Sequence, residues 1–176
     1  MKYFSFPEFE QSVTAALKGY DNSAPREARR NIEYLVDTVL DPLREHLAQP
    51  IVITSGYRCR DLNHDVGGSP TSQHLLGLAA DFRPLHATDE QMDTVRQWFR
   101  DRREASPQPS PKGKGAANGS NQSPLLQEGK GEAPEVVWDQ MIDYGSFFHV
   151  GVRPEGSTNR RQMKRYNAFG QGYRKD

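Results

Sequence analysis

Hydrophobic residues recur every three or four positions in three stretches of the chain, and this period is typical of amphipathic helices. The stretches are residues 3–20, 32–47 and 88–103. Pro42 interrupts the second stretch, so we expect either a kink or two helices, with Asp41 as the N-cap of the second. No residue pattern on these helices indicates a reactive site, and we interpret them as scaffold.

Shorter runs of the chain have the pattern of β-strands. Residues 51–54 are all β-branched and lead into a Ser-Gly pair, which predicts a strand that meets a tight turn. Residues 140–144 and 147–152 predict a hairpin with a Gly-Ser pair at its turn. Because side chains alternate along a strand, Phe147 and His149 share one face of this hairpin.

The tract of residues 106–134 breaks this pattern. It contains five Pro, five Gly and four Ser, and Leu125 and Leu126 are its large apolar residues. Such a segment cannot bury enough surface to offset the entropy that ordering would cost. We therefore predict a disordered insertion within a single domain of residues 1–176.

The last segment, residues 154–176, is basic, which predicts a solvated tail or a partly docked arm.

Composition and charge exclude several classes of protein. The 23 basic and 23 acidic residues give a net charge of zero, so no global field favours nucleic acid or an anionic membrane. No apolar run approaches the roughly 20 residues that span a bilayer. The N-terminus lacks the apolar core of a signal peptide, and the single cysteine, Cys59, permits no internal disulfide. We expect a monomer that is made in the cytoplasm and carries no ordinary export signal.

The candidate chemistry begins with His74 and Asp81, which bracket a run with almost no other polar side chain. Imidazole nitrogen and carboxylate oxygen are two of the ligand types that zinc uses. Asp81 stands between Ala80 and Phe82, and a buried carboxylate needs a cation or strong hydrogen-bond donors beside it. Taken alone, the segment also fits an Asp that caps a turn and a His that packs in the core.

Two further motifs extend this pattern. One is Ser55-Gly56-Tyr57-Arg58, and the other is the segment from Trp138 to Val150, which contains Asp139-Gln140, Ile142-Asp143 and Phe148-His149-Val150. Together with the segment from Ser72 to Asp81, they resemble the zinc D-alanyl-D-alanine carboxypeptidase family. That family cleaves bacterial cell-wall peptides and shares its fold with the Hedgehog signalling domain. The resemblance covers most of residues 3–103 and 135–153, and it implies an α+β fold, a small antiparallel sheet flanked by helices.

The resemblance also implies a metal site. His74, Asp81 and His149 match the family's three zinc ligands, the number that a catalytic zinc takes from its protein. Asp143, six residues before His149, is the predicted general base, and Asp139 is the alternative. Asp143 can face His149 only if the hairpin register pairs the two residues, since a slip of one residue would put them on opposite faces.

Two more residues are predicted to act beside the metal. In the resembled family the arginine at the position of Arg58 lines the substrate site, where a guanidinium can hold a carboxylate or a polarised carbonyl. The alternative for Arg58 is a surface ion pair with Asp61 or Asp65. Ser72 could cap or orient the loop before His74, or could bind substrate.

These observations predict a zinc-dependent peptidase that hydrolyses stem peptides of bacterial peptidoglycan, as a D-Ala-D-Ala carboxypeptidase or as an endopeptidase. Small size and the missing export signal resemble phage lysis enzymes, or endolysins, which reach the wall or periplasm by assisted release. The alternative is a catalytically silent wall-binding or virion module on the same fold. Nucleic-acid binding through the basic end has little support in a neutral chain.

Overall fold

The computed structural model describes residues 1–104 and 136–166 together with the backbone of 173–175. Its helices are α1 (Phe6–Glu10), α2 (Val13–Lys18), α3 (Arg26–Leu35), α4 (Asp41–Leu47), α5 (Arg60–Asp65) and α6 (Asp89–Glu104). Its strands are β1 (Ile51–Ser55), β2 (Ala79–Pro84), β3 (Gln140–Asp143), β4 (Phe148–Gly151), β5 (Gln162–Tyr166) and β6 (Tyr173–Lys175). None of the described helices is long and apolar enough to cross a membrane.

The helical predictions hold, with two differences. Residues 3–20 form two short helices rather than one, because Ser12 caps α2 by accepting a hydrogen bond from the backbone N–H of Ala15 at 3.3 Å. A π-helical turn, Val36–Leu40, joins α3 to α4 immediately before Pro42. Proline lacks an N–H group and cannot continue the α-helical ladder, so the wider turn accommodates it.

Asp41 does not act as the predicted N-cap. Its carboxylate accepts hydrogen bonds from the backbone N–H groups of Lys2, at 2.6 Å, and Tyr3, at 3.3 Å. It therefore ties the N-terminal segment to the start of α4, where a negative charge is favourable beside the helix dipole.

The strands form one sheet in the order β1-β2-β4-β3-β5-β6. The predicted α+β class and the predicted hairpin of β3 and β4 are confirmed. The sheet is mixed rather than wholly antiparallel, because β5 pairs parallel to β3. Part of the basic segment 154–176, predicted as a tail or docked arm, thus extends the sheet. The tract 106–134 lies outside the described residues.

The sheet has one face in the hydrophobic core and one that carries polar side chains. Phe82, Phe148, Val150, Met141 and Met163 belong to the core, together with Trp98 and Phe99 of α6. On the other face the register aligns four residues across four neighbouring strands, which are Asp81, His149, Ile142 and Lys164. Paired residues of neighbouring strands project to the same side of a sheet, so this row of residues is the foundation of the candidate site.

Candidate metal centre

Strand pairing brings two of the predicted ligands together. Asp81 of β2 lies directly opposite His149 of β4, and Oδ1 of Asp81 is 2.8 Å from Nδ1 of His149. His74 reaches the pair from a 3₁₀ turn, Gln73–Leu76, that precedes β2. Its Nε2 is 3.2 Å from Nδ1 of His149 and 3.3 Å from Oδ1 of Asp81. One ligand atom from each residue lies within 4.8 Å of the other two, so the three side chains converge as the sequence predicted.

The turn that carries His74 is fixed at both of its ends. At its start the hydroxyl oxygen of Ser72 accepts a hydrogen bond from the backbone N–H of His74 at 3.3 Å. At its end Gly77 adopts a left-handed conformation with φ of 71°. A Cβ atom at Gly77 would lie 2.4 Å from the carbonyl oxygen of Ala28, so only glycine lets the turn pack against α3. Ser72 therefore caps the turn, and its role toward substrate stays a prediction.

A second anchor joins the same turn to β4. Nε2 of Gln73 donates a hydrogen bond to the carbonyl oxygen of Val152 at 2.6 Å. A Cβ atom at Gly151 would lie 2.3 Å from Oε1 of Gln73, so the side chain of Gln73 fits over Gly151 because that residue has none. Sequence reasoning missed this contact, although a glycine inside a strand is a signal of close approach by another group.

The hydrogen bonding of His74 determines which of its nitrogens faces the cluster. Nδ1 lies 2.6 Å from the carbonyl oxygen of Gly56, and a carbonyl can only accept, so Nδ1 carries the hydrogen and donates it. His74 is 3% exposed. Burial lowers the pKa of His74, against the opposing influence of Asp81, and this keeps the imidazole neutral. Nε2 then presents a lone pair to the cluster, which is the form that binds metals.

Arg58 holds the other side of Asp81. Its Nη2 donates to Oδ2 of Asp81 at 2.9 Å, and its Nε donates to the hydroxyl oxygen of Ser55 at 3.0 Å. The backbone N–H of Arg58 also donates to the carbonyl oxygen of His74 at 3.1 Å. Arg58 is therefore at the cluster, as expected, and its ion pair is with Asp81 rather than with Asp61 or Asp65. The contact of Arg58 with substrate stays a prediction.

The charge on Asp81 follows from these contacts. Burial by itself would raise the pKa of Asp81, but the hydrogen bond with His149 outweighs burial and lowers the pKa well below its usual value. The carboxylate is thus ionised at neutral pH.

The donor set fits a zinc ion. The lone pair of His74 at Nε2 and the ionised oxygen Oδ1 of Asp81 are both acceptors, and they face each other at 3.3 Å. Two acceptors at this distance are stabilised by a cation between them. Two imidazoles and one carboxylate are also the ligand types and the number that a catalytic zinc takes from its protein. His74, Asp81 and His149 are therefore the candidate metal ligands.

The structure corrects the prediction that Asp143 is the general base. In the hairpin register Ile142 is opposite His149, and Asp143 is opposite Phe148. Asp143 therefore projects from the face opposite to the cluster. Its carboxylate, 3% exposed, accepts hydrogen bonds from Arg96 of α6 at 2.8 Å, from Arg165 of β5 at 3.2 Å and from the backbone N–H of Gly145 at 2.8 Å.

The alternative base, Asp139, is also committed elsewhere. It is fully buried, and its carboxylate accepts hydrogen bonds from Nε of Arg160 at 2.9 Å and pairs with Nε of Arg153 at 3.0 Å. Of the acidic residues that the structure describes, Asp81 alone belongs to the cluster. The predicted hairpin did not reveal the arginine partners of Asp139 and Asp143, because they lie on α6 and in the basic segment after β4.

The fold and the site together define an α+β protein with a candidate metal centre of two histidines and one aspartate on one face of its sheet. The sequence model of the peptidase M15 family matches residues 2–105, which is more than half of the chain, and the protein belongs to this family. The match contains His74 and Asp81, and the pairing of β2 with β4 adds His149 to them. No curated protein matches the chain.

Proposed function

We propose that this protein is a zinc-dependent peptidase that hydrolyses peptide bonds in bacterial peptidoglycan. The observation that carries the proposal is the convergence of His74, Asp81 and His149 in a chain of the peptidase M15 family. Its resemblance to D-Ala-D-Ala carboxypeptidases supports the wall stem peptide as substrate. The activity is that of a carboxypeptidase or of an endolysin-type endopeptidase.

The residues of the candidate site would have different roles in this reaction. His74, Asp81 and His149 would hold the zinc, which when bound lowers the pKa of a water molecule and polarises a carbonyl group. Arg58 keeps Asp81 oriented through Oδ2, which leaves Oδ1 for the metal side of the carboxylate. The remaining guanidinium nitrogen, Nη1, can donate to a substrate carboxylate or carbonyl. We assign no general base, since Asp143 and Asp139 are both bound by arginines away from the cluster.

The setting of this activity belongs to the same proposal. We infer a monomeric enzyme that is made in a bacterial cytoplasm and acts on the wall after assisted release, as phage lysis enzymes do. The neutral net charge supports neither a nucleic-acid partner nor a membrane partner.

The test is zinc analysis followed by digestion of purified peptidoglycan, with mass spectrometry of the released fragments. We expect about one zinc per chain and defined peptide fragments. His149→Ala should lose zinc and activity together, because two ligands hold a metal poorly. His64→Ala is the matched control, since the His64 side chain is 90% exposed and lies outside the cluster.

One observation favours a second candidate function. Both predicted bases are turned away from the metal centre, and this is the arrangement expected of a catalytically silent wall-binding or virion module. Zinc-loaded protein that sediments with peptidoglycan but releases no peptide would establish that function and exclude the peptidase.

A further inference from the structure

Three aromatic side chains form a row at the turn end of the hairpin. Tyr144 follows β3, Phe147 precedes β4, and Tyr166 is the last residue of β5. The rings of Tyr144 and Phe147 are stacked, with centroids 4.6 Å apart and an interplanar angle of 8°. The rings of Tyr144 and Tyr166 are 5.2 Å apart and tilted by 37°. We call these three residues the aromatic row.

The aromatic row lies on the same face of the sheet as the metal centre. Phe147 is two residues from His149 along the chain, and side chains two apart on a strand share a face. Tyr144 is two residues from Ile142, and Tyr166 is two residues from Lys164. The register aligns both Ile142 and Lys164 with His149. Two residues of a strand span roughly 7 Å, so the aromatic row is the next row of side chains beside the metal centre.

These rings do not belong to the hydrophobic core. Phe82 and Phe148 on the other face of the sheet are fully buried, whereas Tyr144 and Phe147 are half-buried and Tyr166 is 43% exposed. Partly exposed aromatic side chains that adjoin one another beside a candidate metal centre form a candidate ligand-binding surface. The hydroxyl groups of the two tyrosines add polar atoms to an otherwise apolar surface.

We propose that the aromatic row is a subsite for the pyranose ring of an N-acetylated amino sugar in the glycan part of peptidoglycan, with Tyr166 as its main stacking surface. This inference rests on the proposed function for its substrate. Stem peptides are built from small, acidic and basic amino acids, which offer no large apolar side chain to an aromatic surface. A pyranose ring presents a flat face of C–H groups, which packs on an aromatic ring while its hydroxyl rim remains hydrated.

The separation of the aromatic row from the metal centre determines how much of one substrate molecule could span both. Tyr166 lies on β5, two strands away from His149 on β4. Neighbouring strands are about 4.8 Å apart and the two rows are roughly 7 Å apart along the strands, so Tyr166 and His149 are separated by roughly 12 Å. An extended peptide, which advances about 3.3–3.6 Å per residue, covers this distance in about three to four residues. A sugar on Tyr166 and a scissile bond at His149 can therefore belong to one molecule, and this reach includes the stem-peptide bonds of both the endopeptidase and the carboxypeptidase reactions.

The experiment is an NMR titration of the zinc-loaded full-length protein with an N-acetylglucosamine tetramer, which contains no stem peptide. We expect binding that Tyr166→Ala weakens by about 3- to 10-fold, the size of a single stacking contact, and that Tyr166→Phe preserves. Tyr20→Ala is the matched control, because this tyrosine follows α2 and pairs with Asp65. No binding of the tetramer, or equal binding by parent and Tyr166→Ala, overturns the subsite.

Cleavage assays on the same preparations separate this inference from the proposed function. The substrates are a disaccharide-peptide and the identical peptide without sugar. With the subsite present, the parent should cleave the disaccharide-peptide with the higher kcat/KM, and Tyr166→Ala should remove that preference. Cleavage of both substrates at equal kcat/KM retains the peptidase and overturns the subsite. Tetramer binding through Tyr166 without any cleavage retains the subsite and overturns the peptidase.

Discussion

Gln73 lies over Gly151, and its Nε2 donates a hydrogen bond to the carbonyl oxygen of Val152 at 2.6 Å. This contact connects the turn that carries His74 with the strand that carries His149. Two of the three candidate ligands come from segments far apart in the chain, so their separation depends on how these segments are fastened. We regard Gln73 as a positioning residue of the metal centre.

The first prediction concerns Gly151→Ala. The added Cβ would lie 2.3 Å from Oε1 of Gln73, so the amide must move and its hydrogen bond to Val152, which fastens the His74 turn to β4, is lost. We expect zinc affinity to fall by about tenfold, as for other changes in groups that orient metal ligands. The measurement is competition with a chromophoric zinc chelator.

The control for this prediction is Gly151→Ala in a Gln73→Ala background. There the new Cβ has no amide to displace, so Gly151→Ala should cost little additional affinity. Equal losses in both backgrounds would show that Gln73 is not the group through which Gly151 acts, since contacting residues should be strongly non-additive.

The second prediction concerns Arg58→Met, which keeps a long side chain but removes the donors to Asp81 and Ser55. Zinc affinity should fall by about 10- to 100-fold, because Asp81 loses the partner that orients it. Arg60→Met, at an exposed neighbouring position, is the control. If Arg58 acted on substrate alone, zinc affinity would stay at the parental value and KM would rise.

The third prediction concerns the tract 106–134, which is poor in large apolar residues. Replacing it with a short Gly-Ser linker should change Tm by only a few degrees, since the closure entropy of a loop depends weakly on its length. Thermal unfolding of the zinc-loaded protein measures this. A large drop in Tm would show that the tract packs against the domain.

The sequence predicted the convergence of the three candidate ligands better than it predicted the contacts around them. His74 and Asp81 are separated by a short, nearly apolar segment, and Phe148-His149-Val150 is a recognisable strand, so local pattern and family resemblance were sufficient. The hairpin of β3 and β4 was also visible, because its strands are joined by a tight turn.

The role of Asp143 could not be predicted in the same way. Local pattern allowed two registers that differ by one residue, and only one of them turns Asp143 toward His149. Its partners Arg96 and Arg165 are 47 and 22 residues away in the chain, and neither belongs to the hairpin. The parallel pairing of β5 with β3 likewise depends on a long-range contact that no local periodicity encodes.

The last prediction follows from this placement of Asp143. Burial by itself would raise the pKa of Asp143, but hydrogen bonds from Arg96 and the backbone N–H of Gly145 outweigh it and lower the pKa below its usual value. A carboxyl group whose pKa is lower in the folded state stabilises the fold above its unfolded pKa of about 3.9. That contribution is lost as the pH falls through the lowered pKa of the folded state.

Asp143→Asn should therefore lower the free energy of unfolding by about 1.5–3 kcal/mol at pH 7, the size of hydrogen bonds to a charged group. The difference from the parent should shrink as the pH falls below about 4, because the carboxyl group is then protonated in the unfolded parent, and it should vanish once the pH is below the lowered pKa of the folded state. Urea unfolding at pH 7 and pH 3 measures both values.

Asp93→Asn, which removes the exposed partner of the same Arg96, should have little effect at either pH. Zinc content should be parental in both variants. Parental stability at pH 7 together with a 10²- to 10⁴-fold loss of hydrolysis would instead return Asp143 to the role of general base.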